Sequence, residues 1–507
     1  MNKALLASLM AAAALTISAA AVQAQQNTMR IGLNEDPDVL DPTLARTYVG
    51  RIVFASLCDK LFDIDEKANA VPQLALSHET LDDGKTMIIK LRPNVKFHDG
   101  ETMDAEAVRY SLDRHMTMQG SFRKPELAAV DKVEVVDPLT VKLTLKTPFS
   151  PLLSQLTDRA GMIVSPKAAK EAGDRFGAKP VCAGPFKFVD RVQQDRITLE
   201  RFADYWDKDK IKIDRVVFQP ITDGTVKLAN LKSGQLDLIE RPLATDLAEI
   251  RSNPNLKLVA LTDLGFNGMW INVSKGEPAK GPLGQDARVR QALELAIDRE
   301  ALNQVVFNGE YVVGNQWISP DKLYYQEKFP VPKRDVSKAK QLLQQAGVKT
   351  PVAVDFMVPN TTEAKASAEV IQAMAAEAGF DMKIRLVEFA TGLKEAEEGR
   401  YQAFLLNWSG RTDPDGNLYI FMKTGAPQNY GGYSNANVDK ALDEARLKSD
   451  PKERKAIYER VAAETLKDNP YLYLYHRKVL IAHSNKVEGY RQMPDGLIRL
   501  QGVSMKR

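Results

Sequence analysis

An α/β chain folded into two lobes is predicted by three observations. The chain has 507 residues, more than one ordinary hydrophobic core accommodates. Its first half carries strand pairs set off by turn residues. Its second half runs strand, helix, strand, helix and strand between Val352 and Leu406, the order that builds βαβ units and a mostly parallel sheet. The composition, 44% hydrophobic and 27% charged, is that of a soluble globular protein. Lys and Arg total 69 against 66 Asp and Glu, so the net charge is only +3 and gives no electrostatic case for nucleic acid.

The N-terminus reads as an export leader. Lys3 supplies the positive start, Ala4 to Val22 is apolar, and Val22-Gln23-Ala24 is a small-x-small cleavage pattern. Residues 1–24 are therefore expected to be a signal peptide, with a membrane anchor as the alternative. No Cys follows the cut, so no lipid anchor is expected, and a Gram-negative periplasm fits the address. The two cysteines, Cys58 and Cys182, both lie beyond it. An oxidising compartment favours pairing them, with two buried free thiols as the alternative.

Met29 to Leu33 is a short apolar strand, and Val49 to Leu61 has helical apolar spacing. Leu81 to Arg92 reads as a hairpin turning at Asp83-Gly84, and Asp104 is placed to cap the next helix. Val133 to Val136 and Val141 to Leu145 form a second hairpin across Asp137-Pro138. Phe186 to Val189 with Ile197 to Arg201 is another strand pair, and Val216 to Gln219 a further strand. Thr225 to Ser233 is a helix stopped by Gly234, followed by a strand over Asp237 to Glu240. Gly268 to Val273 is a buried strand near a lobe crossover, and Asp286 to Asn308 one long amphipathic helix. Val352 to Val358 and Met382 to Val387 flank a helix that starts at Thr361 or Thr362 and ends at Gly379. Helices over Val438 to Leu447 and Pro451 to Leu466 precede strands at Tyr471 to Tyr475 and Val479 to Ala482. Two lobes joined by two crossings act as a hinge and close on a ligand.

The candidate site is Phe404 to Phe421, FLLNWSGRTDPDGNLYIF. A buried strand runs into a turn rich in Gly, Asp and Pro, which is how α/β folds place ligand contacts at the carboxyl edge of a sheet. Trp408 offers a flat face, Arg411 a planar fork of donors, and Asp413, Asp415 and Asn417 offer acceptors. The alternative is a surface turn capped by Asp and Asn. Tyr48 and Trp270 are further pocket candidates, with core positions as their alternative. The chain has no nucleophile elbow, no HExxH, no Walker A and no GxGxxG, and its five His residues show no ligand spacing. No enzyme chemistry, metal or cofactor is therefore expected.

Four ordered blocks resemble one family. They are Leu91 to Arg114, Ala183 to Trp206, Asp286 to Leu302 and Ala339 to Gly347. The chain resembles the periplasmic solute-binding proteins of ABC importers, in the peptide- and nickel-binding group known as family 5. The resemblance implies a two-lobe periplasmic-binding-protein fold of type II, in the large cluster with an extra subdomain in lobe I. It divides the chain into lobe I at 25–266 plus 483–507, an insert at about 71–178, and lobe II at 267–482. It also implies a monomer that encloses a small or peptide ligand between the lobes. The loaded protein then docks on an inner-membrane permease with cytoplasmic ATPases.

Two departures bear on the solute. Dipeptide- and oligopeptide-binding members of the family carry an Asp three residues after the Trp, for the peptide amine; here that position is Arg411. Dipeptide binders place an Arg for the peptide carboxylate where this chain has Val358. Arg411 is accordingly expected to hold an anionic or carboxylate-rich group. The alternative is that it pairs with Asp413 or Asp415 and only builds the loop. A metal-chelate-binding relative of the same fold and a secreted hydrolase remain as other readings of function.

Overall fold

The computed structural model describes residues 27–506; the leader expected at 1–24 lies outside them. The first lobe is built on a seven-stranded sheet. Its centre is Thr28–Leu33, parallel to Arg215–Pro220 on one side and to Leu238–Glu240 on the other. Alternation in Thr28–Leu33 buries Met29, Ile31 and Leu33 completely. Phe186–Val192, Arg196–Arg201, Lys478–Ser484 and Leu256–Thr262 complete the sheet through antiparallel pairs. The strand Lys478–Ser484 thus belongs wholly to the first sheet, so the return to this lobe begins at Lys478 rather than at 483.

Ala75–Leu81, Thr86–Leu91, Thr140–Leu145 and Val130–Asp137 make a separate four-stranded antiparallel sheet with its own core. The helix Ala105–Thr117 covers it, capped by Asp104 accepting from the Ala107 amide. A disulfide joins Cys58, at the end of helix Tyr48–Leu57, to Cys182. Beside it Gly184 lies against the Leu57 carbonyl group so closely that an added Cβ would sit 2.5 Å from it.

The second lobe holds a six-stranded sheet in the order Val312–Val313, Tyr471–His476, Phe266–Ile271, Ala403–Trp408, Val352–Pro359, Phe380–Val387. Only the last three strands are mutually parallel; Phe266–Ile271 runs antiparallel to both of its neighbours. The sheet is therefore mixed rather than mostly parallel. The βαβ run supplies only one side of it, and strands from the two lobe crossings supply the other. The stretch Asp286 to Asn308 is two helices, Ala287–Ala296 and Arg299–Phe307. Asp298 interrupts the pattern because its carboxylate caps the second helix at the Ala301 amide. The chain crosses between lobes at Asp263–Gly265 and again at Arg477. The two crossings are tied by the Asp263 amide donating to the Arg477 carbonyl at 3.1 Å.

Candidate functional site

The space between the lobes is lined by residues that directly follow strands. Asn34 and Glu35 follow Thr28–Leu33, and Arg241 follows Leu238–Glu240. Asn407 and Trp408 end Ala403–Trp408, and Arg477 follows Tyr471–His476. Both lobes thus bring the carboxyl ends of their strands to one cleft. Two adjoining cavities occupy it and share Glu35, Phe389, Leu406 and Asn407. They enclose about 30 and 20 Å³, room for waters only.

Three guanidinium groups and one carboxyl group define the cleft charge. Arg477 donates to Glu363, and its buried Nε and Nη1 have no acceptor among the described residues. Arg241 lies over the Tyr48 ring at 4.5 Å and has Nε 3.3 Å from Glu240 and Nη1 4.0 Å from Glu35. Arg46 reaches Glu397 at 3.2 Å and Asp38 at 3.7 Å. Burial pushes the Glu35 carboxyl up to about 7 against the pull of Arg241, with Glu240 adding to the rise.

The folded Glu35 therefore keeps its proton up to about 7, whereas its ordinary value is 4.5. Between those values the unfolded chain binds fewer protons, so Glu35 makes stability fall as pH rises through the window. Urea midpoints from pH 4 to 8 should show the wild type losing stability relative to Glu35→Gln over that interval. A difference independent of pH would contradict it. Asp59, pushed to about 7, and Asp263, pushed to about 6, both chiefly by burial, contribute in the same direction and cancel in the comparison.

The structure separates the residues singled out from the sequence. Trp408, Tyr48 and Trp270 line the cleft. Trp270 also packs edge-on against Phe421 and Tyr471, and the Tyr48 hydroxyl donates to the Gly496 carbonyl at 2.6 Å. Arg411, Asp413, Asp415 and Asn417 do not line either cleft cavity, and each has protein partners. Asp413 pairs with Arg454 and Asp415 with Arg446, both at 2.6 Å. Asn417 Oδ1 accepts from Trp408 Nε1 at 2.9 Å and from the Arg411 amide at 2.8 Å.

Arg411 has a partner that the sequence does not suggest. Its guanidinium stacks 4.3 Å from the Trp408 ring centroid, and its Nε lies 2.6 Å from Asp158 Oδ2. Asp158 comes from the first lobe's side of the cleft, so neither Asp413 nor Asp415 is the partner. Two glycines permit this course. A Cβ at Gly416 would sit 2.5 Å from Arg411 Cγ, and one at Gly410 would sit 2.2 Å from the Leu264 carbonyl carbon. Asp158 also accepts from Arg51 Nε at 3.0 Å, while Arg51 Nη1 donates to Ser409 at 2.9 Å. Burial alone would raise Asp158, but Arg411, Arg51, Arg159 and Arg123 outweigh it and hold the carboxyl well below the usual range.

The cleft charges Glu35, Arg46, Arg241 and Arg477 were not singled out from the sequence. Three of them carried a usable signal, since they lie one or two residues past strands that the sequence did reveal. Arg46 precedes a helix and carried none.

Comparison with known proteins then decides the class. Residues 69–430 match the family described as Bacterial extracellular solute-binding proteins, family 5 Middle. The chain belongs to the family 5 solute-binding proteins. Members serve as the solute-capturing component of ABC importers, and this chain is such a component. It is 31% identical over 481 residues to the glutathione-binding protein GsiB of Pectobacterium atrosepticum, covering 92% of each chain. It is 32% identical to GsiB of Salmonella paratyphi A, covering 90% of each. The periplasmic binding protein AgaA of A. tumefaciens R10, solved with agropinic acid, superposes with a TM-score of 0.86 at 29% identity, over 95% of this chain and 99% of AgaA. DppA from Helicobacter pylori, solved with the peptide STSA, gives 0.87 at 25% identity, over 95% and 98%. These family 5 relatives are binding proteins rather than enzymes. Among the described residues no helix is long and apolar enough to cross a membrane.

Proposed function

We propose that this family 5 protein works in the periplasm as a monomeric receptor for a small peptide-like acid of glutathione size. It hands that acid to an inner-membrane ABC permease. The observation that carries the reading is the charge lining the cleft: Arg46, Arg241, Arg477 and Glu35, with each arginine also held by an acid behind it and Arg477 Nε and Nη1 left without an acceptor among the described residues. A solute with two carboxylates and one ammonium complements that set, with the carboxylates on guanidinium forks and the ammonium drawing Glu35 into its ionised form. Relatives that bind glutathione, agropinic acid or a peptide support the class. Trp408, Tyr48 and Trp270 add apolar faces to the same space.

Titration calorimetry with glutathione, tripeptides and dicarboxylic amino-acid conjugates tests the reading. Binding of at least one of these is expected, and Arg477→Gln should weaken the best of them by at least about tenfold, the lower range for losing a charge-assisted contact. Absence of binding across the panel, or wild-type affinity in Arg477→Gln, would count against it. Mass spectrometry of solute carried through purification from the native periplasm gives an independent check.

A further inference from the structure

A second and much larger space lies on the far side of Trp408. It is a groove of about 560 Å³ between the lobes, bordered by Arg411, Thr412 and Asn417 on one lobe and by Lys67 and Pro494 on the other. The solute cavity and this groove have no lining residue in common. A wall between them is marked by Trp408, which lines the cavity, and Arg411, which lines the groove. The Trp408 ring forms its centre, fixed by Asn417 at Nε1, with the Arg411 guanidinium stacked on it. Asp158 grips Arg411 from the opposite lobe at 2.6 Å, and Arg51 ties the same carboxylate to Ser409. Contributions from both lobes mean that the wall is complete only when they are closed.

We propose that Arg411, pulled across the interlobe gap by Asp158, is a specificity-determining residue that backs the Trp408 ring at the end of the solute cavity and so excludes longer chains. A solute extending past Trp408 meets a buried guanidinium already paired with a carboxylate, and entering would strand that carboxylate's partner. Removing the Arg411 side chain takes away the backing of the Trp408 ring, so that the ring can turn aside and a longer chain can reach the groove. The inference rests on the peptide-like reading above.

The test compares alanine peptides of two to six residues and glutathione on the wild type, Arg411→Ala and Arg411→Lys by calorimetry. Asp158 keeps Arg51 at 3.0 Å in the single variant, and the double variant Arg411→Ala/Asp158→Asn is a second route to the same opening, each checked for a native melting transition before titration. Wild type should favour the short ligands. Arg411→Ala or the double variant should gain at least about tenfold in affinity for the four- to six-residue peptides, with the best short ligand changed less than about threefold. Arg411→Lys, which keeps the ion pair, should retain the wild-type length profile. An unchanged length profile in both truncating variants, with short ligands still bound, would overturn this inference alone. Failure of the wild type to bind any member would overturn the peptide-like reading and this inference with it.

Discussion

Replacing Asp158 with alanine is expected to destabilise the protein by about 3–5 kcal/mol, the range for removing one partner from a buried ionic cluster. Four guanidinium groups converge here, Arg51, Arg123, Arg159 and Arg411, each with at most 6% of its side chain exposed. Among the described residues Asp158 and Glu126 pair with them directly, and Asp495 adds a negative charge near Arg51. Arg159 has two nitrogens and Arg123 and Arg411 one each without an acceptor among the described residues, so the cluster has little spare capacity. Without Asp158 the Arg51 and Arg411 charges remain buried and uncompensated. Denaturant unfolding, read as a change in midpoint at constant slope, measures the loss. Asp158→Asn should lose a similar amount, because shape is kept and charge is not. A change below about 1 kcal/mol, the scale of a surface pair, would show that the cluster is screened by solvent.

Cutting the Cys58–Cys182 bond by a double Ser substitution is expected to cost about 2–5 kcal/mol, because the bond closes a loop of 124 residues in the unfolded chain. The loop encloses the whole four-stranded sheet and Asp158. Loss of the bond should therefore weaken solute affinity as well as stability, since the wall beside Trp408 is anchored from inside the loop. Parallel calorimetric scans of oxidised, reduced and double-Ser protein check the first effect, and solute titration checks the second. Coincident melting of oxidised and reduced protein would show that packing around Gly184 suffices.

Much of the fold is legible in local sequence. Thr361 caps its helix, Asp104 caps another, and the alternation from Val352 to Leu406 folds as a βαβαβ run with the strands parallel. What is not legible is pairing between distant segments. Nothing local tells Phe266–Ile271 that its neighbours are Ala403–Trp408 and Tyr471–His476. The same limit governs the site. Arg411 lies two and four residues from Asp413 and Asp415, so proximity in sequence suggests those partners. In space Arg454 and Arg446 have already taken them, and the acid that Arg411 finds comes from the other lobe. The rule that ligands meet the carboxyl ends of strands holds for more than Ala403–Trp408. Extended to Thr28–Leu33, Leu238–Glu240 and Tyr471–His476, it points to Glu35, Arg241 and Arg477.

Arg477 occupies two places at once. Its backbone is one of the two links between the lobes, and its side chain borders the cavity opposite Glu35. Any backbone rotation that spreads the lobes must swing that guanidinium, so grip and release cannot be tuned separately at this position. A torsion at this one residue would therefore move a cavity-lining charge and a lobe together.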